Sequence, residues 1–441
     1  MKKNLKAPPA AKADASHPPA ILGRRSITFA SVIRVNQIEA GRTQNIGHDE
    51  GTIHTVEAVR NLRQDFAAAF PGGRMTWALS WLALQDQRPN YQAIRQQVAD
   101  YQRTLGDEVT FIPGAYFAPM YNSREQVNRD LHDGLQLVSE MIGGGYRPCS
   151  VVAGFLAAEN QRYLAEQEGI HVCQGTIWSQ FGIDNGDGDG SIPYPYFPSR
   201  EHFCKPAQGV KDFIDCVCLD GWTCDFLAAR RFGMGRGFNS RMGVGPIETL
   251  MNLGQETGLK EQVFTTAIHF DDGFKRNGFA FVANIWEVSL TECPRALPAY
   301  GAEVRRRWPD VQGLTVGEFG EAFRAAFKNN DKLDYRFVER GSGINGSDAN
   351  LEIRWFMNRD FRLALLRDWT KESDTSAGLE TVIDFTRYDL TAHEPEGQGR
   401  NWSLMNRMNQ KGTRPQDKPV PLYLLSAEDQ ALIRSRLPGG T

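Results

Sequence analysis

Short apolar runs alternate with longer amphipathic stretches along most of the chain. Val151-Val152-Ala153-Gly154-Phe155 is an apolar run set behind Pro148. Ala157 to Glu168 then has helical composition, with Tyr163-Leu164 on its apolar side, and stops at Gly169. Ile170 to Trp178 returns to apolar and β-branched residues. Strand, helix and strand joined by short connections predict neighbouring strands of a parallel sheet. The same grammar predicts strands at Ser26 to Val35, Met75 to Leu84, Val109 to Ile112, Asp212 to Leu219 and Val263 to Phe270. Helices are predicted over Thr52 to Phe70, Tyr91 to Leu105, Ser123 to Ile142, Trp222 to Phe232, Pro246 to Gln255 and Thr315 to Phe327. Ser123 is a capping residue, and Gly143-Gly144-Gly145 is a stop signal. Seven strands near positions 30, 78, 111, 152, 174, 216 and 266, each followed by a helix or a loop, predict an α/β fold. Its expected form is a seven-stranded (β/α) barrel over residues 24–330.

The texture changes after about residue 331. Leu351 to Arg359, Phe361 to Trp369 and Val382 to Tyr388 predict a small antiparallel sheet with a hairpin at Asn358-Arg359-Asp360. Residues 331–441 are thus expected to form a β-rich C-terminal region and a wrapping tail with a helix near Ser426 to Arg436. Residues 1–23, rich in Pro, Ala and Lys, predict a disordered arm.

Composition narrows the function classes. Hydrophobic residues make up 41% and charged residues 23%, as in ordinary globular proteins. The net charge is −3, and no basic block occurs beyond the first six residues and Arg305-Arg306-Arg307, so no nucleic-acid footprint is expected. Lys2, Lys3 and Lys6 precede no apolar stretch, and no membrane span is predicted; the default expectation is a cytoplasmic protein. Seven cysteines, an odd number without a C-x-x-C pair, predict reduced thiols and no thiolate zinc site. The 25 Phe and nine Trp residues suit either a core or a sugar-sized cleft. Oligomeric state leaves no signal.

Ligands of parallel sheets sit at the carboxyl ends of the strands. Glu159 lies just past such an end, in Gly154-Phe155-Leu156-Ala157-Ala158-Glu159. It is either a helix-start carboxylate or a catalytic one. A second segment, Gly114-Ala115-Tyr116-Phe117-Ala118-Pro119, is an aromatic, proline-bounded loop after a predicted strand. A third, His269-Phe270-Asp271-Asp272-Gly273-Phe274-Lys275, puts paired aspartates after an apolar run, although Asp-Gly is also an ordinary turn pair.

These three segments, in this order, resemble motifs of glycoside hydrolase family 57, within the glycoside hydrolase and polysaccharide deacetylase barrel superfamily. The chain as a whole also resembles a bacterial family of that superfamily designated a domain of unknown function. The resemblance implies a (β/α) barrel that acts on an oligo- or polysaccharide without a cofactor, with retention. It implies Glu159 as nucleophile and Asp272 as general acid/base. Gln37, Tyr116, Trp178, Tyr194, Tyr196, His269 and Asp271 would then contact substrate. The sequence departs from the family at Asn36-Gln37-Ile38, where the family has His-Gln-Pro. It departs again at Phe155, in place of Trp and with an extra residue before the glutamate, and at Phe274 and Arg276-Asn277.

Glycoside hydrolysis needs one ionised and one protonated carboxyl, whose environments push their pKa values apart. Two other readings stand beside it. A deacetylase would use a divalent metal such as zinc, and His48, Asp49 and His54 are the candidate ligands, though the superfamily's His-x-x-x-His is missing. Asn185 to Ile192 resembles the start of a calcium loop, with Tyr196 where the final glutamate belongs; a solvated loop is the plainer reading. A barrel that binds sugar without cleaving it is the third possibility. Gly233 to Gly245, although glycine-rich, lacks the Lys-Ser/Thr pair of a phosphate loop.

Overall fold

β1 (Arg25–Ile33) is buried along its whole length beyond Arg25, as a strand covered on both faces must be. The structure is a computed structural model that describes residues 19–178, 189–228, 246–286, 288, 295–344, 346–371, 380–399, 402–404 and 420–437. Most of the predicted N-terminal arm and the glycine-rich stretch 233–245 lie outside those residues. β2 (Thr76–Leu79) and β3 (Glu108–Phe111) extend the sheet in parallel, with Ala30 opposite Thr76 and Trp77 opposite Val109. The segment after β1 folds into a short antiparallel hairpin with arms Asn36–Ile38 and Ile46–Asp49.

Helices α1 (Val56–Ala69), α2 (Pro89–Leu105) and α3 (Arg124–Ile142) pack on one face of these strands. Their ends follow local chemistry. The Thr55 hydroxyl accepts the Ala58 N–H, Ser123 does the same for Gln126, and α2 starts on a proline whose missing N–H is not needed there. Val59, Leu62 and Phe66 of α1 pack on Phe29 and Ile33.

A second parallel sheet consists of β4 (Val151–Val152), β5 (Val172–Thr176) and β6 (Val217–Asp220). Between β4 and β5, α4 (Ala158–Tyr163) widens into a π turn, Leu164–Glu168, and ends at Gly169. Helices α5 (Pro246–Leu253) and α6 (Gln255–Ala267) follow, and α6 continues through a π turn, Ile268–Gly273. β7 (Ala280–Ile285) then pairs with β1 along Arg25–Ala30. After α7 (Ala296–Arg307), β8 (Gln312–Leu314) takes the other edge of β1 at Ser26–Thr28. α8 (Val316–Ala326) is closed by a reciprocal cap between Thr315 and Glu318.

The C-terminal region is one antiparallel sheet in the order β9 (Asp334–Arg340), β10 (Leu351–Asn358), β11 (Phe361–Asp368), β12 (Glu380–Arg387) and β13 (Val420–Pro421). α9 (Ala427–Arg436) contributes Ile433 to a cluster with Phe361, Leu363 and Leu365 of β11.

Two expectations change. Val263 to Phe270 is helical and not the seventh strand. Its residues are buried nearly all round, and such a continuous apolar run does not distinguish a core strand from a buried helix. The strand belongs to Ala280–Ile285 instead. The parallel strands also form two separate ladders rather than a closed seven-stranded ring, because no ladder joins β3 to β4 or β6 to β7 among the described residues. Isolated bonds join the sheets: Thr110 Oγ1 donates to the Ser150 carbonyl, the Thr223 N–H to the Ala283 carbonyl (3.1 Å), and the Ala283 N–H to Thr223 Oγ1 (2.9 Å).

Candidate functional site

The segments leaving β1, β3 and β6 meet at the carboxyl ends of the parallel strands. Arg34, directly after β1, reaches the Glu50 carboxylate with both arms of its guanidinium, and His54 Nε2 lies 3.2 Å from the same carboxylate. Burial alone would push the Glu50 carboxyl up, but hydrogen bonds from His54 and Arg34 outweigh it and hold the group at about 2. The Arg34 guanidinium stands 5.7 Å from the centre of the Tyr116 ring, which in turn lies 6.2 Å from Trp222. Tyr116 is held in the left-handed region (φ 87°), a conformation unusual for an aromatic residue, and its carbonyl accepts the Phe155 N–H at 2.9 Å.

Beyond β6 the chain passes Trp222 and reaches Asp225, which accepts the Ala228 N–H at 2.9 Å. Two glutamates from other elements converge on it. Glu339 of β9 accepts the Leu227 N–H (2.9 Å) and the Trp355 indole N–H (3.3 Å). Glu261 of α6 is buried beside the charge of Asp225, and neither of its carboxyl oxygens has a hydrogen-bond partner among the described residues. The charge of Asp225 bears on both glutamates, and all three residues are at most 1% exposed. Burial, reinforced by the charge of Asp225, pushes the Glu261 carboxyl up to about 9 and that of Glu339 well above the ordinary range. An aromatic wall encloses the cluster: Trp178 stacks on Phe226 (5.3 Å) and meets the edge of Trp355 (5.1 Å), and Trp355 stacks on Phe337 (6.1 Å).

None of these three carboxyls stands out in the sequence. One signal was available. In β9 the buried phase runs Tyr335, Phe337, Glu339, so an acid occupies a core position of an alternating strand. Asp225 and Glu261 leave no comparable mark.

The residues expected at the site are dispersed. Glu159 sits in the first turn of α4 with its side chain 48% exposed, 3.8 Å from Arg124 Nε. Asp272 does not follow a strand. It lies in the π turn beyond α6, where its Oδ2 accepts the Arg276 Nε–H and the Val338 N–H, each at 2.7 Å. That carboxylate fastens a helix end to β9, and nothing in its contacts directs it towards Glu159. Asp271 accepts the Trp308 indole N–H at 2.7 Å. His269 is buried with Nδ1 3.1 Å from the Tyr194 hydroxyl, and burial pushes it down to about 3.

Tyr194 and Tyr196, expected to stack on sugar, are fully enclosed. Tyr194 stacks on Tyr335 at 5.0 Å, and the Tyr196 hydroxyl donates to the Phe203 carbonyl, so both rings pack the core. Trp178 is equally buried, and Gln37 lies in the hairpin beside Gly47. Of the expected substrate contacts, Tyr116 joins the cluster at the carboxyl end of β1, and Trp178 belongs to the aromatic wall of the buried carboxyls.

The proposed metal ligands separate. His48 is exposed, Asp49 pairs with Arg88, and His54 turns inward to Glu50. Among the described residues no group of three His, Cys, Asp or Glu side chains is placed to hold an ion. Residues 185–188 of the calcium-like stretch lie outside the described residues, and Asp189 pairs with Arg362 at 3.3 Å. Cys173, Cys204, Cys216, Cys218 and Cys224 are buried and outside any disulfide among the described residues. Among the described residues no helix is long and apolar enough to cross a membrane.

Fold and site together describe a mixed α/β protein with parallel sheets, an appended antiparallel sheet and a buried carboxyl cluster beside the strand ends. Residues 20–357 match the family model DUF3863, described as a domain of unknown function with a solved structure, and the chain belongs to that family. Residues 362–439 match a second model of the same description, DUF3864. The boundary between the two falls at the turn joining β10 to β11. A crystal structure from Parabacteroides distasonis, provisionally named a glycoside hydrolase/deacetylase, is 50% identical with a TM-score of 0.89, covering 96% of this chain and 99% of that one. Two family 57 branching enzymes are far more distant, both at 10% identity. The one from Thermococcus kodakaraensis has a TM-score of 0.42 over 67% of this chain and 70% of its own; the one from Pyrococcus horikoshii has 0.38 over 68% and 70%. Among curated proteins none matches the chain.

Proposed function

We propose that the protein is a carbohydrate-active enzyme, a glycoside hydrolase whose acid–base chemistry resides in Asp225, Glu261 and Glu339. The observation that carries this is the approach of Asp225 to two glutamates in a buried site walled by Trp178, Phe226 and Trp355. A carboxyl kept protonated at neutral pH is what protonation of a leaving glycosidic oxygen requires. Glu261, pushed up to about 9, meets that requirement. Asp272, already engaged by Arg276 and Val338, is poorly suited to the general-acid role, which we assign to Glu261. Glu159, open to solvent beside Arg124, is kept as the candidate nucleophile. The name of the Parabacteroides relative supports the same class. In this reading β1 to β7 are the staves of one barrel, supported by the Thr110–Ser150 and Thr223–Ala283 bonds between the two ladders.

The test is a panel of chromogenic glycosides with four variants. Glu261→Gln and Asp225→Asn should lower kcat by about 10²- to 10⁴-fold, the usual contribution of a general acid or base. Asp272→Asn should stay within a few-fold of the parent, and Glu159→Gln reports on the nucleophile. Full activity in Glu261→Gln would overturn the assignment. The relative's name also covers deacetylation, so acetate release from acetylated sugars, with and without a chelator, is measured in parallel. Sugar binding without turnover of either substrate would favour a binding protein.

A further inference from the structure

A small cavity lies between the two parallel ladders. Thr28 of β1 and Phe281 of β7 line it from one ladder, and Gln174 of β5 with Asp220 of β6 from the other. Gly221, directly after β6, and Val316, at the start of α8, also border it. The cavity measures about 10 Å³, enough for one water and little more.

Two of these side chains carry a buried acceptor oxygen with no hydrogen-bond partner among the described residues, Asp220 Oδ2 and Gln174 Oε1. Asp220 is 0% exposed and Gln174 3%. Their remaining polar atoms are engaged: Asp220 Oδ1 accepts the Trp178 N–H (3.0 Å), and Gln174 Nε2 donates to the Thr176 carbonyl (3.3 Å). The Gln174 amide packs against Gly221, where a Cβ would stand 2.4 Å from its Nε2 and 3.4 Å from its Oε1. A glycine after Asp220 therefore leaves that amide its place. Thr28 shares its side of β1 with Ala30 and Val32 of the inner cluster, whereas Ile27, Phe29 and Ile33 pack towards the helices. Its hydroxyl can both donate and accept.

We propose that this cavity is a one-water site, in which a single buried water donates one O–H to Asp220 Oδ2 and the other to Gln174 Oε1, and accepts the Thr28 hydroxyl. This inference is independent of the proposed activity. Two acceptors call for a ligand with two donors, and three hydrogen bonds are what a buried water typically makes. A magnesium or calcium ion takes six or more oxygens, and these side chains offer three.

The position of the water gives it a role. Among the described residues no ladder joins β6 to β7, and the water links Thr28 of one ladder to Gln174 and Asp220 of the other. It also steadies the carboxyl whose second oxygen holds the Trp178 backbone, and Trp178 belongs to the aromatic wall around Asp225, Glu261 and Glu339.

A high-resolution crystal structure of the full chain tests this directly. One solvent peak should stand about 2.5–3.0 Å from both Asp220 Oδ2 and Gln174 Oε1. Crystals soaked in a thallium(I) salt should give no anomalous peak there. In solution, water-oxygen magnetic relaxation dispersion counts long-lived internal waters, and Gln174→Leu, which replaces the acceptor by an apolar group of similar size, should lower the count by one. A cavity without solvent density, a direct hydrogen bond between Asp220 and Gln174, a thallium peak, or an unchanged count in Gln174→Leu would each overturn the proposal. The crystallographic result on the parent stands even if Gln174→Leu fails to fold.

Discussion

Arg34 and Glu50 face each other in a two-armed ion pair at the carboxyl end of β1, both almost fully enclosed. The Arg34 guanidinium lies 5.7 Å from the centre of the Tyr116 ring, so that buried ring rests beside a charge that Glu50 compensates. Glu50→Gln removes that compensation and should cost about 3–5 kcal/mol, as breaking a buried ion pair from one side generally does. Because folding holds the Glu50 carboxyl at about 2, below its ordinary 4.5, its contribution is complete above pH 4.5 and is lost as pH falls towards 2. Denaturant titrations of parent and variant across that range check both statements.

His269 should make itself felt in a higher pH window. Burial pushes it down to about 3 from an ordinary 6.5, so the unfolded chain binds a proton that the folded chain refuses. Its contribution is complete above pH 6.5 and declines by up to about 1.4 kcal/mol per pH unit as pH falls towards 3. The difference in unfolding free energy between parent and His269→Gln should therefore shift against the parent between pH 6.5 and 4.5, before Glu50 begins to titrate. A constant difference over that interval would contradict the expectation.

Glu261 should show the opposite sign. Its carboxyl is pushed up to about 9, so folding takes up a proton, and the stability this contributes is complete below pH 4.5 and lost as pH rises to about 9. Glu261→Gln carries no titrating group. It should gain stability relative to the parent steadily from pH 4.5 to 9, which thermal or denaturant unfolding at several pH values would register.

Gly154→Ala should be costly despite its small size. A Cβ at that position would stand 2.4 Å from the Tyr116 carbonyl oxygen and 2.7 Å from the Tyr116 Cβ. The carbonyl is already engaged by the Phe155 N–H, and Tyr116 already holds a left-handed backbone. Relief requires moving the loop after β3 away from the start of α4, at a cost of about 1–3 kcal/mol or more. The measurement is the denaturant midpoint, accompanied by near-ultraviolet circular dichroism as a reporter on the packing of Tyr116 and Trp222.

Local chemistry was legible in the sequence wherever a signal acts within a few residues. Ser123 starts α3 and Thr315 starts α8 because a hydroxyl caps the free N–H groups of a first turn, and Gly169 ends the α4 segment because it accepts a positive φ. The buried run of β1 and the alternation of β10 likewise state their own structure. Tyr116 could be placed at the strand ends from its motif alone. Tertiary packing decided the rest. Val263 to Phe270 is helical because neighbours cover it on nearly every side, which erases the periodicity that would have identified it. The same burial placed Glu339 and Glu261 beside the charge of Asp225 and so raised their proton affinity, whereas Asp272 met Arg276 and Val338 and became a fastener. A carboxylate carries the same chemistry at every position in a sequence; its solvation and its neighbours set its proton affinity, and both are supplied by segments far away along the chain.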